Sequence, residues 1–129
     1  MYLTTTNVGH PKLQAWKYAL PGDEKIFEIE RLIIDVKSKK IIKLKMENDF
    51  QRSTTTDHIA GRGGELLDTQ WSEDSSKLAF ISSSRDHKEA YLQIADSKTG
   101  SVSSIFKENV ETYYESGVRS ENWRVLFDS

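Results

Sequence analysis

The stretch from Glu65 to Gly100, ELLDTQWSEDSSKLAFISSSRDHKEAYLQIADSKTG, restricts the fold more than any other part of the chain. Leu67, Thr69 and Trp71 alternate with Leu66, Asp68 and Gln70, the period of a strand whose two faces differ. The polar, turn-forming run Ser72-Glu73-Asp74-Ser75-Ser76 ends that strand and suits a hairpin. Lys77 to Ile81 (KLAFI) is apolar on both faces, as a strand with a neighbour on each side must be. Tyr91 to Ala95 (YLQIA) resumes the pattern, Asp96-Ser97-Lys98-Thr99-Gly100 turns the chain again, and Val102 to Phe106 supplies a fourth strand. Short strands at roughly ten-residue spacing predict an antiparallel meander.

A meander of four such strands is the unit, or blade, of a β-propeller, and here the resemblance becomes specific. Gln70-Trp71-Ser72-Glu73-Asp74-Ser75-Ser76-Lys77-Leu78-Ala79-Phe80 is similar to the W-S-P-D-G-x-x-L-A-F signature of blades in the prolyl oligopeptidase family. Glu73 stands in place of the usual Pro and Ser75 in place of the usual Gly, so the turn is made without its most permissive residues. The flanks narrow the resemblance. Gly9-His10-Pro11-Lys12-Leu13-Gln14-Ala15-Trp16-Lys17-Tyr18 precedes the blade, and Asn109-Val110-Glu111-Thr112-Tyr113-Tyr114-Glu115 and Asn122-Trp123-Arg124-Val125-Leu126 follow it; these look like bacterial members of the dipeptidyl peptidase IV branch.

The resemblance covers nearly the whole chain and implies an all-β propeller fragment. It assigns residues 1–11 to a connecting segment, 12–46 to the outer strands of a partial blade, 47–62 to an inter-blade linker, 63–107 to a complete blade and 108–129 to the start of the next. It further implies a parent protein that removes dipeptides from peptide N-termini with a serine, a histidine and an aspartate of an α/β-hydrolase domain, in a periplasmic or extracellular location. The partners implied are that domain, the remaining blades and the parent's peptide substrates. The chain itself is expected to scaffold and gate, not to cleave. A self-contained β-module that binds a carbohydrate or protein through exposed aromatics, and a blade segment of a non-peptidase periplasmic propeller, are the alternatives.

Composition is in keeping with a folded domain: 129 residues, 36% hydrophobic against 29% charged. With no cysteine, disulfides and thiolate metal sites are excluded. A formal charge of -2 offers no long-range attraction for nucleic acid. There is no long apolar run, so no membrane span is expected, and Met1 to Thr6 lacks the basic and apolar regions of a signal peptide.

Between the connecting segment and the blade, a first strand is expected from near Lys12 to Leu20, followed by a turn at Pro21-Gly22-Asp23. Ile26 to Val36 (IFEIERLIIDV) fits a helical face through Ile26, Ile29, Ile33 and Val36, but its β-branched content favours a strand. Its apolar frame moves from Phe27 and Ile29 to Leu32, Ile34 and Val36, which a bulge near Glu30-Arg31 would explain. In the next strand Ile42, Leu44 and Met46 face one way and Lys43 and Lys45 the other. The five lysines between positions 37 and 45 read as protection of a sheet edge, not as a polyanion site.

The sequence offers no catalytic, cofactor or metal residues. Asp57 and His58 have no serine in a G-x-S-x-G elbow. His10, His58 and His87 are scattered and read as solvated loop residues. Gly61-Arg62-Gly63-Gly64 precedes a strand, not the helix N-terminus that a phosphate cradle needs. Glu28 and Glu30 share a strand face and are expected to pair with neighbouring lysines or to be solvated. Trp16, Tyr18, Trp71, Phe80, Tyr91, Phe106 and Trp123 fall in expected strands, where they would pack between blades, Trp71 with its ring buried. Tyr113, Tyr114 and Glu115 lie where the chain would cross toward a propeller axis, and packing is their expected role too. A blade cut from its ring leaves edges and apolar faces bare, so self-association is expected.

Overall fold

The computed structural model describes residues 2–4, 9–15, 20, 22–50, 69–113 and 123–127. The strands among them are β1 (Tyr2–Thr4), β2 (Lys12–Gln14), β3 (Glu28–Ile29), β4 (Leu32–Asp35), β5 (Lys40–Lys43), β6 (Asp49–Phe50), β7 (Thr69–Trp71), β8 (Lys77–Ser83), β9 (Glu89–Asp96) and β10 (Val102–Asn109). No helix occurs among the described residues. All strand pairs within the sheets are antiparallel.

The last four strands form one sheet in the order β10-β9-β8-β7, a simple meander. That connectivity belongs to a propeller blade; a sandwich would cross between sheets. The central strand β8 buries Ala79, Phe80, Ile81, Ser82 and Ser83, so it is covered on both faces, as its apolar run implies. β8 and β9 both run past the expected ends, to Ser83 and from Glu89, because the ladder continues through Ser83↔Ala90.

The turns at the two ends of β8 are the same turn, used twice. In Ser72-Glu73-Asp74-Ser75-Ser76-Lys77, the Ser72 hydroxyl donates to Asp74 Oδ1 at 2.8 Å and accepts from the Lys77 amide at 2.9 Å, while the Ser76 amide donates to the same carboxylate at 3.0 Å. In Ser84-Arg85-Asp86-His87-Lys88-Glu89, the Ser84 hydroxyl donates to Asp86 Oδ1 at 2.5 Å and accepts from the Glu89 amide at 3.0 Å, and the Lys88 amide donates to the carboxylate at 3.2 Å. In both, the fourth residue sits in the left-handed region, Ser75 at φ 58 and His87 at φ 58. Serine and aspartate side chains thus do locally what Pro and Gly do in the usual signature.

A second repeat links the two halves of the chain. Asp35-Val36-Lys37-Ser38-Lys39 joins β4 to β5 as Asp96-Ser97-Lys98-Thr99-Gly100 joins β9 to β10. Asp35 Oδ1 accepts from the Lys37 and Ser38 amides at 2.9 and 3.1 Å, and Asp96 Oδ1 from the Lys98 and Thr99 amides at 3.0 and 2.7 Å. Lys39 (φ 57) and Gly100 (φ 71) hold the equivalent left-handed position.

The β4–β5 hairpin continues as a ribbon through Leu44, whose amide donates to the Arg31 carbonyl at 3.1 Å, and then through β3 and β6, where Ile29 pairs with Asp49. One residue, Glu30, separates these pairs on one side and four, Lys45 to Asn48, on the other. The irregularity therefore lies on the returning strand, not at Glu30-Arg31 as expected. Nor does the inward frame shift. Glu28, Glu30, Leu32 and Ile34 are exposed and alternate with half-buried Ile29 and Arg31 and buried Ile33. An arginine holds an inward position, so the outward Leu32, Ile34 and Val36 had only looked like the core face. The expected alternation of Ile42, Leu44 and Met46 against Lys43 and Lys45 is present, with Leu44 buried and both lysines exposed.

Ribbon and blade share a core. Ile33 and Leu44 from the ribbon meet Phe80 and Ala95 from the blade, with Ile42, Met46, Leu78 and Val102 packed around them. The seam closes where the Lys45 amide donates to the Gly100 carbonyl at 2.8 Å and Lys45 bridges Ser101 in parallel. A Cβ at Gly100 would run into the Lys43 carbonyl oxygen and come within 3.0 Å of Ile42 Cγ2, so this glycine is required by close approach as well as by φ.

Among the aromatics, Phe80 is fully buried and Tyr91 half-buried. Three expectations need correction. Trp71 is 42% exposed, because among the described residues β7 is an edge strand and its last residue points out. Phe106 is 59% exposed on the opposite edge strand, β10. Trp123 is half-buried but lies outside any strand. Trp16, Tyr18, His58, Tyr114, Glu115 and the Gly61 to Gly64 run lie outside the described residues.

Candidate functional site

Two polar constellations stand out from the sheet framework. The first is a node at the seam. Arg31, inward on the ribbon, donates from Nε to Asp49 Oδ2 at 2.6 Å and from Nη2 to the Ile81 carbonyl at 3.0 Å, and its guanidinium lies 4.6 Å from the centroid of the Phe80 ring. The Arg31 and Asp49 side chains are only 11% and 10% exposed. The planar fork of an arginine serves a carboxylate, a backbone carbonyl and an aromatic face together, which an ammonium would do poorly. The node is structural: the carboxylate, the carbonyl and the ring that Arg31 meets all belong to the fold itself.

The second constellation lies at the end of the blade that carries the Ser84 turn. Glu89, on β9, accepts from Lys107 Nζ of β10 at 2.8 Å and from the Tyr91 hydroxyl, and Lys107 lies 5.2 Å from the Tyr91 ring centroid. Lys107, first, and the Tyr91 hydroxyl hold the Glu89 carboxyl below its ordinary range, and Glu89 in turn raises both Tyr91 and Lys107. Next to this group opens a cavity of about 600 Å³ lined by Gly22, Ser84, Arg85, Asp86, Lys88, Glu89 and Asn109. Arg85 Nη2 spans it to the Asp23 carbonyl, and the His87 ring at the turn tip stacks on Tyr113 with centroids 4.7 Å apart. His87 is therefore half-buried and engaged with another ring, not the solvated loop histidine expected, whereas His10 is exposed.

At the open side of the blade, Gln70 of β7 holds the 123–127 segment by a two-point contact. Its Nε2 donates to the Val125 carbonyl at 2.8 Å and its Oε1 accepts from the Val125 amide at 2.9 Å. The side-chain amide substitutes for a neighbouring strand at this point of the edge.

The carboxylates in these sites are already committed. Glu89 is spent on Lys107 and Tyr91, Asp86 on its own turn, and Glu30 forms an ion pair with Lys43, as expected of the Glu28 and Glu30 face; Glu28 accepts from Asn48 Nδ2 at 3.0 Å. Among the described residues no three of His, Asp and Glu are grouped as metal ligands, and no helix is long and apolar enough to cross a membrane. Sequence reasoning places the Ser72 turn but misses the inward role of Arg31, read only as a bulge marker, and the Ser84 turn that repeats the first. The repeat of serine two residues before aspartate at positions 72 and 84 was the signal for the latter.

The architecture so described is a four-stranded antiparallel meander, as in a propeller blade, with a β-ribbon packed against it. Neither the curated proteins nor the solved structures give a match to the chain. The family model described as the dipeptidyl peptidase IV (DPP IV) N-terminal region matches residues 1–127. That family is a non-catalytic β-propeller region, in accord with the antiparallel meander and with the blade signature around Trp71. The chain belongs to the dipeptidyl peptidase IV N-terminal region family.

Proposed function

We propose that this chain is a scaffolding and gating segment of a bacterial, serine-type dipeptidyl peptidase, and that it works beside an α/β-hydrolase domain and further blades of the same parent. Peptide substrates would reach the hydrolase through the ring that these blades enclose, in a periplasmic or extracellular setting. The observation that carries the reading is the family match over residues 1–127, which spans the blade, the ribbon and the seam between them. The physical contribution of the segment is rigidity. The Arg31 node and the Gly100 seam fix the angle between ribbon and blade, and a channel wall needs its units held at constant pitch to exclude folded proteins while passing extended peptides.

Antibody raised against this chain and used on the source cells provides the test. The expected result is a polypeptide much larger than the 14.8 kDa of this sequence, with a G-x-S-x-G peptide in its mass map and dipeptide release from a chromogenic substrate. The isolated chain is expected to give no turnover, because its sequence holds no serine in a G-x-S-x-G elbow. A 14.8 kDa species free of any hydrolase domain would overturn the reading.

A further inference from the structure

The cavity beside the Ser84 turn is lined by more positive charge than its own carboxylates use. Both oxygens of Glu89 are engaged, Oε1 by Lys107 Nζ at 2.8 Å and Oε2 by the Tyr91 hydroxyl, so Lys107 matches the charge of Glu89 without itself lining the cavity. Asp86 gives Oδ1 to the Ser84 hydroxyl and the Lys88 amide. Arg85 commits Nη2 to the Asp23 carbonyl, which leaves its Nε and Nη1 donors. The Lys88 ammonium and the Asn109 side-chain amide make no hydrogen bond among the described residues. With Glu89 cancelled by Lys107, the lining holds Arg85 and Lys88 against Asp86, a single surplus positive charge.

We propose that this cavity is a binding site for a peptide carboxylate, received by the remaining donors of Arg85 and by the Lys88 ammonium, with the Asn109 amide available to the adjoining peptide group. The charge count selects the ligand. One carboxylate cancels the surplus, whereas a phosphate dianion would leave negative charge unmatched beside Asp86. The planar guanidinium fits a planar carboxylate, and a neutral amide next to it suits a peptide bond better than a second charge would. A volume of about 600 Å³ lies in the range of small-ligand sites and admits the end of a short peptide. Binding is read on this chain itself, so its failure would leave the family-based reading of the parent where it stands.

NMR titration of the isotope-labelled full chain with N-acetyl-trialanine, and in parallel with its C-terminal amide, tests the site. The acid should shift the Arg85 Nε–H and Asn109 side-chain signals saturably, with a dissociation constant on the order of millimolar, and the amide should not. N-acetyl-Ala-Glu-Ala amide, whose one carboxylate is on a side chain, separates the two sources of the group: binding of either acid supports the site and names the source. Lys88→Gln and Arg85→Gln should each weaken binding about two- to fivefold. Lys107→Gln, outside the lining, should weaken it too, because Glu89 then faces the cavity with its charge unmatched. Asp86→Asn keeps an acceptor for the turn and removes a negative charge, so it should tighten binding by a similar factor, a gain that damage to the fold cannot imitate. No saturable shift with either acid overturns the proposal, as does an amide or inorganic phosphate that binds as well as the acid. So does an Asp86→Asn chain with an otherwise unchanged spectrum and no gain in affinity.

Discussion

The four-stranded sheet and the β3–β6 ribbon are built from similar turns and similar residue types, yet they are held together differently. In the sheet, β8 and β9 each have a strand on both sides, and five consecutive residues of β8 are buried. In the ribbon, two short ladders are separated by an irregular step, and the buried side chains are Ile33, Leu44 and Asp49. The sheet has the means to hold itself together through its ladder and its core. The ribbon depends on what it docks against: the cluster with Phe80 and Ala95, the Arg31 node and the Gly100 seam. In the sheet, layers of backbone pairing set the position of each side chain; in the ribbon, a few side chains set the position of the backbone.

If that distinction is right, the largest loss should come from the sheet residue that serves both regions. Phe80→Ala removes the one large side chain that is fully buried among the described residues and takes away the ring beneath Arg31, and should cost about 3 to 5 kcal/mol in urea denaturation. Ile34→Ala, on the bare face of the ribbon, should fall within about 0.5 kcal/mol of the parent in dilute solution. Equal losses at the two positions would mean that ribbon and sheet are not distinct in this way.

The Arg31 node sharpens the comparison. Asp49→Ala leaves a largely buried guanidinium without its carboxylate and should cost about 3 kcal/mol, since breaking one side of a buried pair exposes the desolvation of the other. Glu30→Gln breaks the solvent-facing pair with Lys43 on the same ribbon and should leave the unfolding midpoint where it was. A small effect at Asp49 would show that the core cluster alone joins the two regions.

The two regions also differed in how well their sequences could be read. Leu78 to Ile81 is a continuous apolar run between turn signals, too short for a helix and suited to a strand with two neighbours, so the meander was legible from residue types and spacing. Ile26 to Val36 misled because burial there does not follow hydropathy. Arg31 is inward since Asp49, eighteen residues on, meets it, and a pairing at that separation leaves no periodic trace. Hydropathy then assigned the core face to Leu32, Ile34 and Val36, which are exposed. Trp71 failed for a related reason: a signature residue was taken to be buried, but its exposure depends on what stands beyond the edge of β7. The cavity beside Ser84 was equally hidden, being formed between a turn and Gly22, far apart in sequence.

The matched turns permit a finer test. Gly100 and Lys39 occupy the same left-handed position in the two hairpins, but only Gly100 is pressed against the other region. Gly100→Ala should destabilise by about 1 to 3 kcal/mol through conformational strain and collision with the Lys43 carbonyl. Lys39→Gly should instead stabilise by up to about 1 kcal/mol, as a non-glycine residue is relieved of φ 57. The opposite signs, read from thermal or denaturant midpoints, would locate the seam on the blade side of the ribbon; equal effects would remove Gly100 from it.

The smallest effect is expected from the turns themselves, and it appears only in acid. The Ser76 amide and hydroxyl, followed by the Ser72 hydroxyl, hold the Asp74 carboxyl down to about 2, from an ordinary 3.8. The Ser84 hydroxyl and Lys88 amide lower Asp86, the Thr99 amide and hydroxyl lower Asp96, and the Ser38 amide lowers Asp35. A carboxyl with its folded value below its unfolded one favours the folded state fully above the unfolded value, and that contribution fades as pH falls through the folded value. Stability should therefore be flat near neutrality and decline from about pH 4 toward pH 2, most of all for Asp74. These carboxylates are exposed and their bonds compete with water, so the decline should be shallow. Asp74→Asn, which keeps an acceptor oxygen but not the charge, should flatten the slope in that window while leaving the pH 7 midpoint little changed. Asp35→Asn should do the same for the ribbon hairpin, to a degree that depends on how far that hairpin unfolds with the rest. A shift in the acid slope for Asp74→Asn but none for Asp35→Asn would mean that the ribbon separates before the blade melts.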